Sequence, residues 1–235
     1  MAAAPAARAA FDSLFQGHCR EPHIVQRTSV QELRNADRLL VKFCRATQLL
    51  PWMTREFSFT CKPVHLLRHP CAVVASQMKY GAWDQVKPGF DESDVLSDPL
   101  KKPYADILMK VDTIEARLAA FWAMTNSVAI NHPERQTRWI TITYEDLVIA
   151  PETILSGILQ DWNLVMDDLD AVVKRPSKTT LGSSPVARGH QGKQMTYWQD
   201  FLKPYQIDLI LDITHAMGVS LYDHTAEPSS LAGSA

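Results

Sequence analysis

The sequence has few cysteines, and none of them lies in a metal-binding pattern. The 235 residues contain Cys19, Cys44, Cys61 and Cys71. No two of these form the C-x-x-C pair that is typical of zinc sites. We therefore predict reduced thiols and no bound metal.

Long apolar runs are also missing. No stretch approaches the roughly 18 uninterrupted apolar residues that a membrane-spanning helix requires, and the N-terminus has no apolar signal core. These absences predict a cytoplasmic protein without a membrane span. The Ala-rich opening Met1–Ala10 has three open interpretations, a degenerate transit peptide, an expression remnant or a frayed terminus.

Neither sign of charge dominates the composition. The formal net charge is -2, so the chain lacks the general basic field that attracts nucleic acid or an anionic membrane. We expect no nucleic-acid partner. Any anion that binds must be held by a local cluster of Lys, Arg and backbone amide groups.

The composition that remains is that of a folded, soluble domain. Hydrophobic residues make up 46% and charged residues 21%, and the length suits one domain with a substantial core. We predict a disordered N-terminus over residues 1–10 and one domain over 11–222. Residues 223–235, rich in Ser, Ala and Pro, are predicted to be a disordered tail.

Short apolar runs alternate with longer helical patterns along the chain. This alternation predicts an α/β domain with a mainly parallel central sheet flanked by helices. The predicted strands are Arg38–Phe43, Pro63–Arg68 and Arg138–Tyr144. The predicted helices are Pro70–Lys79, Asp106–Asn131, Pro151–Trp162 and Pro204–Met217.

Polar groups gather after the second predicted strand. Arg68 ends that strand, Pro70 opens a helix, and Ser76 lies two turns into it. Open α/β sheets bind ligands at the carboxyl ends of their strands, where each charge-assisted hydrogen bond is worth about 1.5 to 3 kcal/mol. Two interpretations are open. Arg68 and Ser76 converge on one anion, or Arg68 pairs with a carboxylate and Ser76 is a neutral helix residue.

The pattern R-x-P-x5-S after an apolar strand resembles the element with which sulfotransferases hold the 3′-phosphate of 3′-phosphoadenylyl sulfate (PAPS). Three other segments are similar to the family in the same order, FDSLFQGHCREP, LLVKFCRATQLLPWM and WITITYEDLVIAPETILSGILQDWNL. The basic segment 174–193, followed by Tyr197 and Trp198, resembles the C-terminal segment that closes over the nucleotide. The resemblance covers roughly residues 11–222.

The resemblance implies a P-loop-kinase-like sulfotransferase fold with PAPS as the co-substrate. Arg68 and Ser76 would hold the 3′-phosphate, Arg188 would assist from the C-terminal loop, and Tyr144 would lie near the adenine edge. Lys42 would contact the sulfuryl oxygens.

The acceptor implied by the family is a hydroxyl or amine on a small molecule or carbohydrate. Its proton would require a general base within reach. Glu21 is the candidate, with His65 or His69 as alternatives. The sequence carries no signal for the acceptor's identity or the oligomeric state.

One departure from the family concerns the start of the domain. Family members open with a strand and a Gly-, Ser- and Thr-rich loop around the 5′-phosphosulfate, whereas MAAAPAARAA precedes the matching region here. We expect this strand and loop to be missing or altered. Each donor missing from such a loop can cost about 100- to 1,000-fold in rate.

A second departure from the family concerns Cys44. It stands where cytosolic small-molecule sulfotransferases have a histidine base.

Three functions therefore stay open. The first is an active PAPS-dependent sulfotransferase, and the second is a catalytically dead module that binds a nucleotide or a partner. The third is an unrelated nucleotide-binding protein such as a small kinase. That function requires a G-x-x-x-x-G-K-[ST] loop, which this sequence lacks.

Overall fold

The computed structural model describes residues 5–21, 29–81, 87–166, 168–169 and 191–229. The chain divides into two compact units, Met1–Ala46 and Thr47–Ala235.

The first unit contains helices α1 (Pro5–Phe15) and α2 (Val30–Asn35). A capping box starts α2, because the Ser29 hydroxyl accepts the Glu32 N–H and the Glu32 carboxylate accepts the Ser29 N–H. Residues 5–10, expected to be disordered, form the first turns of α1.

The predicted strand Arg38–Phe43 is wrong, because the segment has no regular secondary structure. Its last residue, Phe43, packs against aromatic rings of the first unit instead. The Phe43 ring lies 5.9 Å from that of Phe11 and 6.2 Å from that of Phe15, measured between centroids. Strand propensity depends strongly on the available partners, and here the aromatic residues of α1 provide them.

The second unit combines many helices with one described pair of strands. Its strands are β1 (Val64–Leu67) and β2 (Ile140–Thr143). Its helices are α3 (Leu50–Glu56), α4 (Pro70–Lys79), α5 (Glu92–Ser97), α6 (Ala105–Leu108), α7 (Ile114–Ile130), α8 (Arg135–Arg138), α9 (Tyr144–Ile149), α10 (Pro151–Asp161), α11 (Gln191–Phe201) and α12 (Pro204–Ala216). Short 3-10 helices cover Thr47–Leu49 and Lys102–Tyr104.

The two strands confirm two of the sequence predictions. They run parallel, with Val64 opposite Ile140 and Leu67 opposite Thr143. The described residues thus combine helices with a parallel strand pair. A larger, mainly parallel sheet and the P-loop-kinase-like arrangement stay predictions, since the sheet has two strands in the described part of the chain.

Helix α7 lies at the centre of the second unit and packs against α4 and α12. The predicted helix Asp106–Asn131 is interrupted, because α6 ends at Leu108 and α7 begins after Thr113. The Thr113 hydroxyl accepts the Ala116 N–H at 3.3 Å and so caps the new helix. Small residues allow neighbouring helices to approach α7 closely, and alanines 116, 119, 120 and 123 are all buried.

The last helix follows its sequence signals closely. Pro204 occupies the first turn of α12, and Gly218, with φ at +85°, follows its end. Hydrogen bonds also hold the segment that follows α12. Both the backbone N–H and the hydroxyl of Ser229 donate to the Leu221 carbonyl at 2.8 Å. Residues 223–229, expected to belong to a disordered tail, are included in this segment, and 230–235 lie outside the described residues. No helix in the described part of the chain is long and apolar enough to span a membrane.

Candidate anion-binding site

Arg68 and Tyr144 meet at the carboxyl edge of the strand pair. Leu67 lies opposite Thr143 in the parallel register, so the residues that follow them leave the sheet at the same edge. The Arg68 guanidinium carbon lies 4.4 Å from the centroid of the Tyr144 ring. The structure therefore brings together two of the residues predicted to hold the nucleotide, in cation–π contact.

Helix α11 contributes Gln194 to this pair. The Tyr144 hydroxyl donates to Gln194 Oε1 at 2.9 Å, and Arg68 Nη2 donates to the Gln194 carbonyl at 3.3 Å. Sequence reasoning missed Gln194. The available signal was its position just before Tyr197 and Trp198 in the segment that resembles the nucleotide-closing region.

Arg68 has no direct ion-pair partner within the described residues. The side chain is half-buried, and its Nε is buried without a hydrogen-bond partner. The carboxylate of Glu145 acts on the Arg68 charge without forming an ion pair with it, so the alternative in which Arg68 pairs with a carboxylate is supported only in this weaker form. A half-buried guanidinium with an unused donor is a suitable anchor for a phosphate or sulfate group.

Ser76 and Lys79 lie three residues apart on α4 and so share one face of that helix. Ser76 is half-buried and Lys79 is exposed, and within the described residues no hydrogen bond uses the Ser76 hydroxyl. The Lys79 Nζ lies 5.7 Å from the centroid of the Tyr197 ring on α11. Burial raises the pKa of Tyr197, and the positive charge of Arg68 opposes that shift. The positive charges of Arg68 and Lys79 thus both interact with Tyr197.

A buried carboxylate lies next to this pair. Glu145 Oε1 accepts the His69 backbone N–H at 3.0 Å, and Oε2 accepts the Tyr222 hydroxyl at 3.0 Å. Burial raises the pKa of Glu145, while these two hydrogen bonds and the positive charge of Arg68 oppose the rise. Burial, followed by the Glu145 charge, also raises the pKa of Tyr222. Neither residue was predicted, although Glu145 directly follows Tyr144.

His69 is a structural residue and not the free base that the sequence suggested as an alternative. Its Nδ1 accepts the Cys71 N–H at 3.2 Å, which leaves Nε2 to donate to the Asp223 carbonyl at 3.0 Å. The ring stacks on Trp198 at a centroid distance of 4.4 Å. Burial lowers the pKa of His69 to about 4. A neutral imidazole with both nitrogens occupied has no lone pair available for an acceptor proton.

His65, the other alternative base, is also buried, with 4% of its surface exposed. Its Nε2 lies 3.1 Å from Asn126 Oδ1, and Asn126 Nδ2 donates to the Trp122 carbonyl at 2.9 Å. Burial lowers the pKa of His65. The ring is part of the core beside α7, away from any solvent-exposed acceptor.

The other predicted site residues stay untested. Glu21 and Lys42 belong to the first unit and are exposed, and Arg188 lies outside the described residues. Their roles therefore remain predictions. In the part of the chain that is described, no group of three or more His, Cys, Asp or Glu residues could hold a metal ion.

A concave surface lies at the end of α7, away from Arg68. This open depression, of about 540 Å³, is lined in part by Asn131, His132, Arg135 and Gly218. Asn131 Nδ2 donates to the Gly218 carbonyl at 3.0 Å across it. It contains none of the residues that surround Arg68, so it provides an internal control for ligand binding.

Comparison with known protein families, with curated proteins and with solved structures gives no match for this chain. Function is therefore inferred from the side chains around Arg68.

Proposed function

We propose that this chain is a sulfotransferase-like protein that binds PAPS through Arg68. In this proposal it transfers the sulfuryl group to a hydroxyl or amine on a small-molecule or carbohydrate acceptor and leaves adenosine 3′,5′-bisphosphate. The 3′-phosphate lies against Arg68 and Ser76, and the adenine lies near Tyr144.

The observation that carries the proposal is the state of Arg68. Its guanidinium is half-buried at the carboxyl end of β1, has an orphaned Nε donor and has no ion-pair partner in the described residues. A buried positive charge is costly unless it is paired. A phosphate at the accessible part of the Arg68 guanidinium would supply the direct ion-pair partner that the described residues lack.

Neighbouring groups add to this support. The unused Ser76 hydroxyl on α4 is a neutral donor for the same anion, and the face of the Tyr144 ring lies against the guanidinium. Gln194 holds the tyrosine hydroxyl. We extend the proposal to Arg188, which would assist at the 3′-phosphate as the family resemblance implies.

The transfer step requires groups beyond this anion site. The acceptor oxygen or nitrogen forms a bond to sulfur while the bond from sulfur to the bridging 5′-phosphate oxygen breaks. The acceptor proton passes to a general base, for which Glu21 is the candidate, and Lys42 would stabilise the sulfuryl oxygens. Positioning and electrostatics do most of the work, as in phosphoryl transfer.

A catalytically dead nucleotide- or partner-binding module is the second candidate. The state of the two histidines near β1 favours it, because His69 uses both ring nitrogens and His65 is buried in the core. The active enzyme and the nucleotide-binding form of the module both predict nucleotide binding at Arg68. They differ in whether sulfuryl transfer follows.

Binding is tested first by calorimetric titration of adenosine 3′,5′-bisphosphate into the full chain and two variants. We expect micromolar affinity for the wild type and at least tenfold weaker binding for Arg68→Ala, equivalent to about 1.4 kcal/mol. Arg135→Ala is the matched control, since it removes another half-buried arginine, in the separate depression. It should leave the affinity within about twofold. No binding by a folded wild-type chain, or equal losses in the two variants, would refute the proposed site.

Transfer is tested next with sulfur-labelled PAPS and a panel of hydroxyl and amine acceptors. Label in an acceptor, lost in Arg68→Ala, supports the sulfotransferase. The binding module is supported instead if the nucleotide binds tightly, no acceptor is labelled and PAPS is not hydrolysed.

A further inference from the structure

Glu145 connects three separate segments of the second unit. One carboxylate oxygen accepts the backbone N–H of His69, between β1 and α4, and the other accepts the Tyr222 hydroxyl after α12. The glutamate itself lies in the first turn of α9. It is 1% exposed, so these hydrogen bonds form away from competing water.

The connected backbone positions adjoin the two residues of the anion site. His69 directly follows Arg68, and Glu145 directly follows Tyr144. A single carboxylate therefore ties the backbone next to the guanidinium to the helical turn that carries the ring beneath it. Movement of α9 away from β1 would strain both this hydrogen bond and the contact between Arg68 and Tyr144.

Tyr222 is itself held firmly. Its carbonyl lies 2.7 Å from His215 Nε2 on α12, and its ring packs 4.8 Å from that of His69 in an edge-on arrangement. The next carbonyl, of Asp223, accepts from His69 Nε2. Tyr222 is 2% exposed. The phenol thus fixes the second oxygen of Glu145 from a rigid part of the chain.

We propose that Glu145 and Tyr222 are positioning residues for the anion site, which keep the Arg68 guanidinium over the Tyr144 ring. Neither touches the ligand in this arrangement. Their effect passes through the His69 backbone and the first turn of α9. The effect on ligand affinity rests on the proposed function, whereas the effect on Arg68 geometry does not. Binding sites need such support, because small displacements of the contacting groups weaken them.

A purely structural role for the pair predicts a different result. In that case, loss of a hydrogen bond would lower the stability of the fold but leave Arg68 in the same place in the molecules that remain folded. The geometry of Arg68 must therefore be measured separately from stability.

The test uses the Arg68 Nε–H signal in proton–nitrogen spectra of the full chain at mildly acidic pH, assigned by its loss in Arg68→Lys. We expect the Tyr144 ring current to shift this signal in the wild type, since the guanidinium lies over the ring. Tyr222→Phe removes one hydroxyl and retains the ring, and Glu145→Gln keeps one acceptor for the His69 N–H. In both variants we expect the signal to move toward its random-coil position. In Tyr222→Phe, which leaves every charge near Arg68 in place, we expect adenosine 3′,5′-bisphosphate to bind up to about fivefold more weakly, the effect of losing the Tyr144 ring itself.

Tyr205→Phe and Glu152→Gln are the matched controls, because both residues are exposed and neither contacts this network. They should leave the signal and the affinity unchanged. Thermal unfolding curves are measured for every variant, so that the spectra can be recorded at a temperature where each variant is folded.

The outcomes separate the two proposals. An Arg68 signal that stays at its wild-type position in folded Tyr222→Phe and Glu145→Gln overturns the positioning role, whatever happens to stability. If the wild type does not bind the nucleotide but the signal moves in both variants, the proposed function fails and the positioning role stands. If the signal moves and the affinity does not change, the coupling to ligand binding is refuted.

Discussion

The Arg68 guanidinium lies 4.4 Å from the centroid of the Tyr144 ring, while the hydroxyl of the same tyrosine donates to Gln194 on α11. One side chain therefore performs two tasks. Its face supports the positive charge, and its hydroxyl holds the neighbouring helix. These tasks can be separated by substitution, because the ring can be kept without the hydroxyl.

Substitution of Tyr144 should weaken anion binding only when the aromatic ring is removed. Tyr144→Phe keeps the cation–π contact, so the affinity for adenosine 3′,5′-bisphosphate should stay within about twofold of the wild type. Tyr144→Leu loses a contact worth about 1 kcal/mol, so binding should weaken about fivefold. Calorimetry measures both. Equal losses in the two variants would show that the hydroxyl, and not the ring, supports the site.

Lys79 should attract the ligand through its charge alone. It is exposed on the Ser76 face of α4, so Lys79→Gln should weaken nucleotide binding about two- to threefold at low salt. The difference should shrink at high salt, because the Debye length falls from about 10 Å at 0.1 M to about 3 Å at 1 M. Titrations over a salt series measure this.

Lys62→Gln is the control for that series. Lys62 precedes β1, whereas Arg68 follows it, so the two lie at opposite ends of the strand. This control variant should match the wild type at every salt concentration. A salt-independent loss in Lys79→Gln would instead indicate a direct hydrogen bond to the ligand.

Local chemistry explains the parts of the fold that the sequence predicted. The β-branched run of β2, the first-turn proline of α4 and the glycine after α12 each act within a few residues of their own position. These local features need no knowledge of distant parts of the chain. The family resemblance assigned Arg68 and Tyr144 to one nucleotide site, but their contact depends on the pairing of β1 with β2, which is not a local feature.

Non-local contacts explain what the sequence did not predict. Arg68 and Gln194 are separated by 126 residues, and Glu145 and Tyr222 by 77. A glutamine or glutamate carries no local sign of such a partner. The segment Arg38–Phe43 has the composition of a strand, but Phe43 packs against the rings of α1 instead, since strand formation requires a partner strand in space.

His69 should make the stability of the fold fall in acid. Its pKa is lowered from 6.5 to about 4 by burial, so the unfolded chain binds its proton first as the pH falls. Stability is therefore lost between pH 6.5 and about 4, by about 3 kcal/mol in total, and this contribution is flat below that range. Chemical denaturation across the pH series measures the slope.

His69→Asn isolates this contribution. The asparagine oxygen can still cap α4 through the Cys71 N–H, but the side chain does not titrate. The variant should be less stable at neutral pH, since it loses the Trp198 stacking, and should lack the His69 part of the acid slope. Glu145, whose pKa burial raises, contributes in the opposite direction in both proteins, so the comparison cancels it. Identical slopes would show that His69 is not buried in its neutral form.

Gly218 should be required for the end of α12 because of its backbone conformation and not because of its size. Its φ is +85°, and its N–H and that of Val219 bond to the carbonyls of His215 and Thr214 at 2.9 Å, which is the Schellman pattern. An added Cβ would lie 3.6 Å from Asn131 Nδ2, so there is room for it. Gly218→Ala should therefore cost about 1 to 2 kcal/mol through backbone strain alone.

The matched substitution Gly157→Ala should have the opposite sign. Gly157 lies inside α10 with nothing within 4 Å of an added Cβ, so alanine should stabilise the helix by up to about 1 kcal/mol. Urea denaturation of both variants measures the two free energies of unfolding. Destabilisation by both would point to a steric origin, whereas opposite signs would attribute the Gly218 effect to its left-handed backbone, which Gly157 does not have.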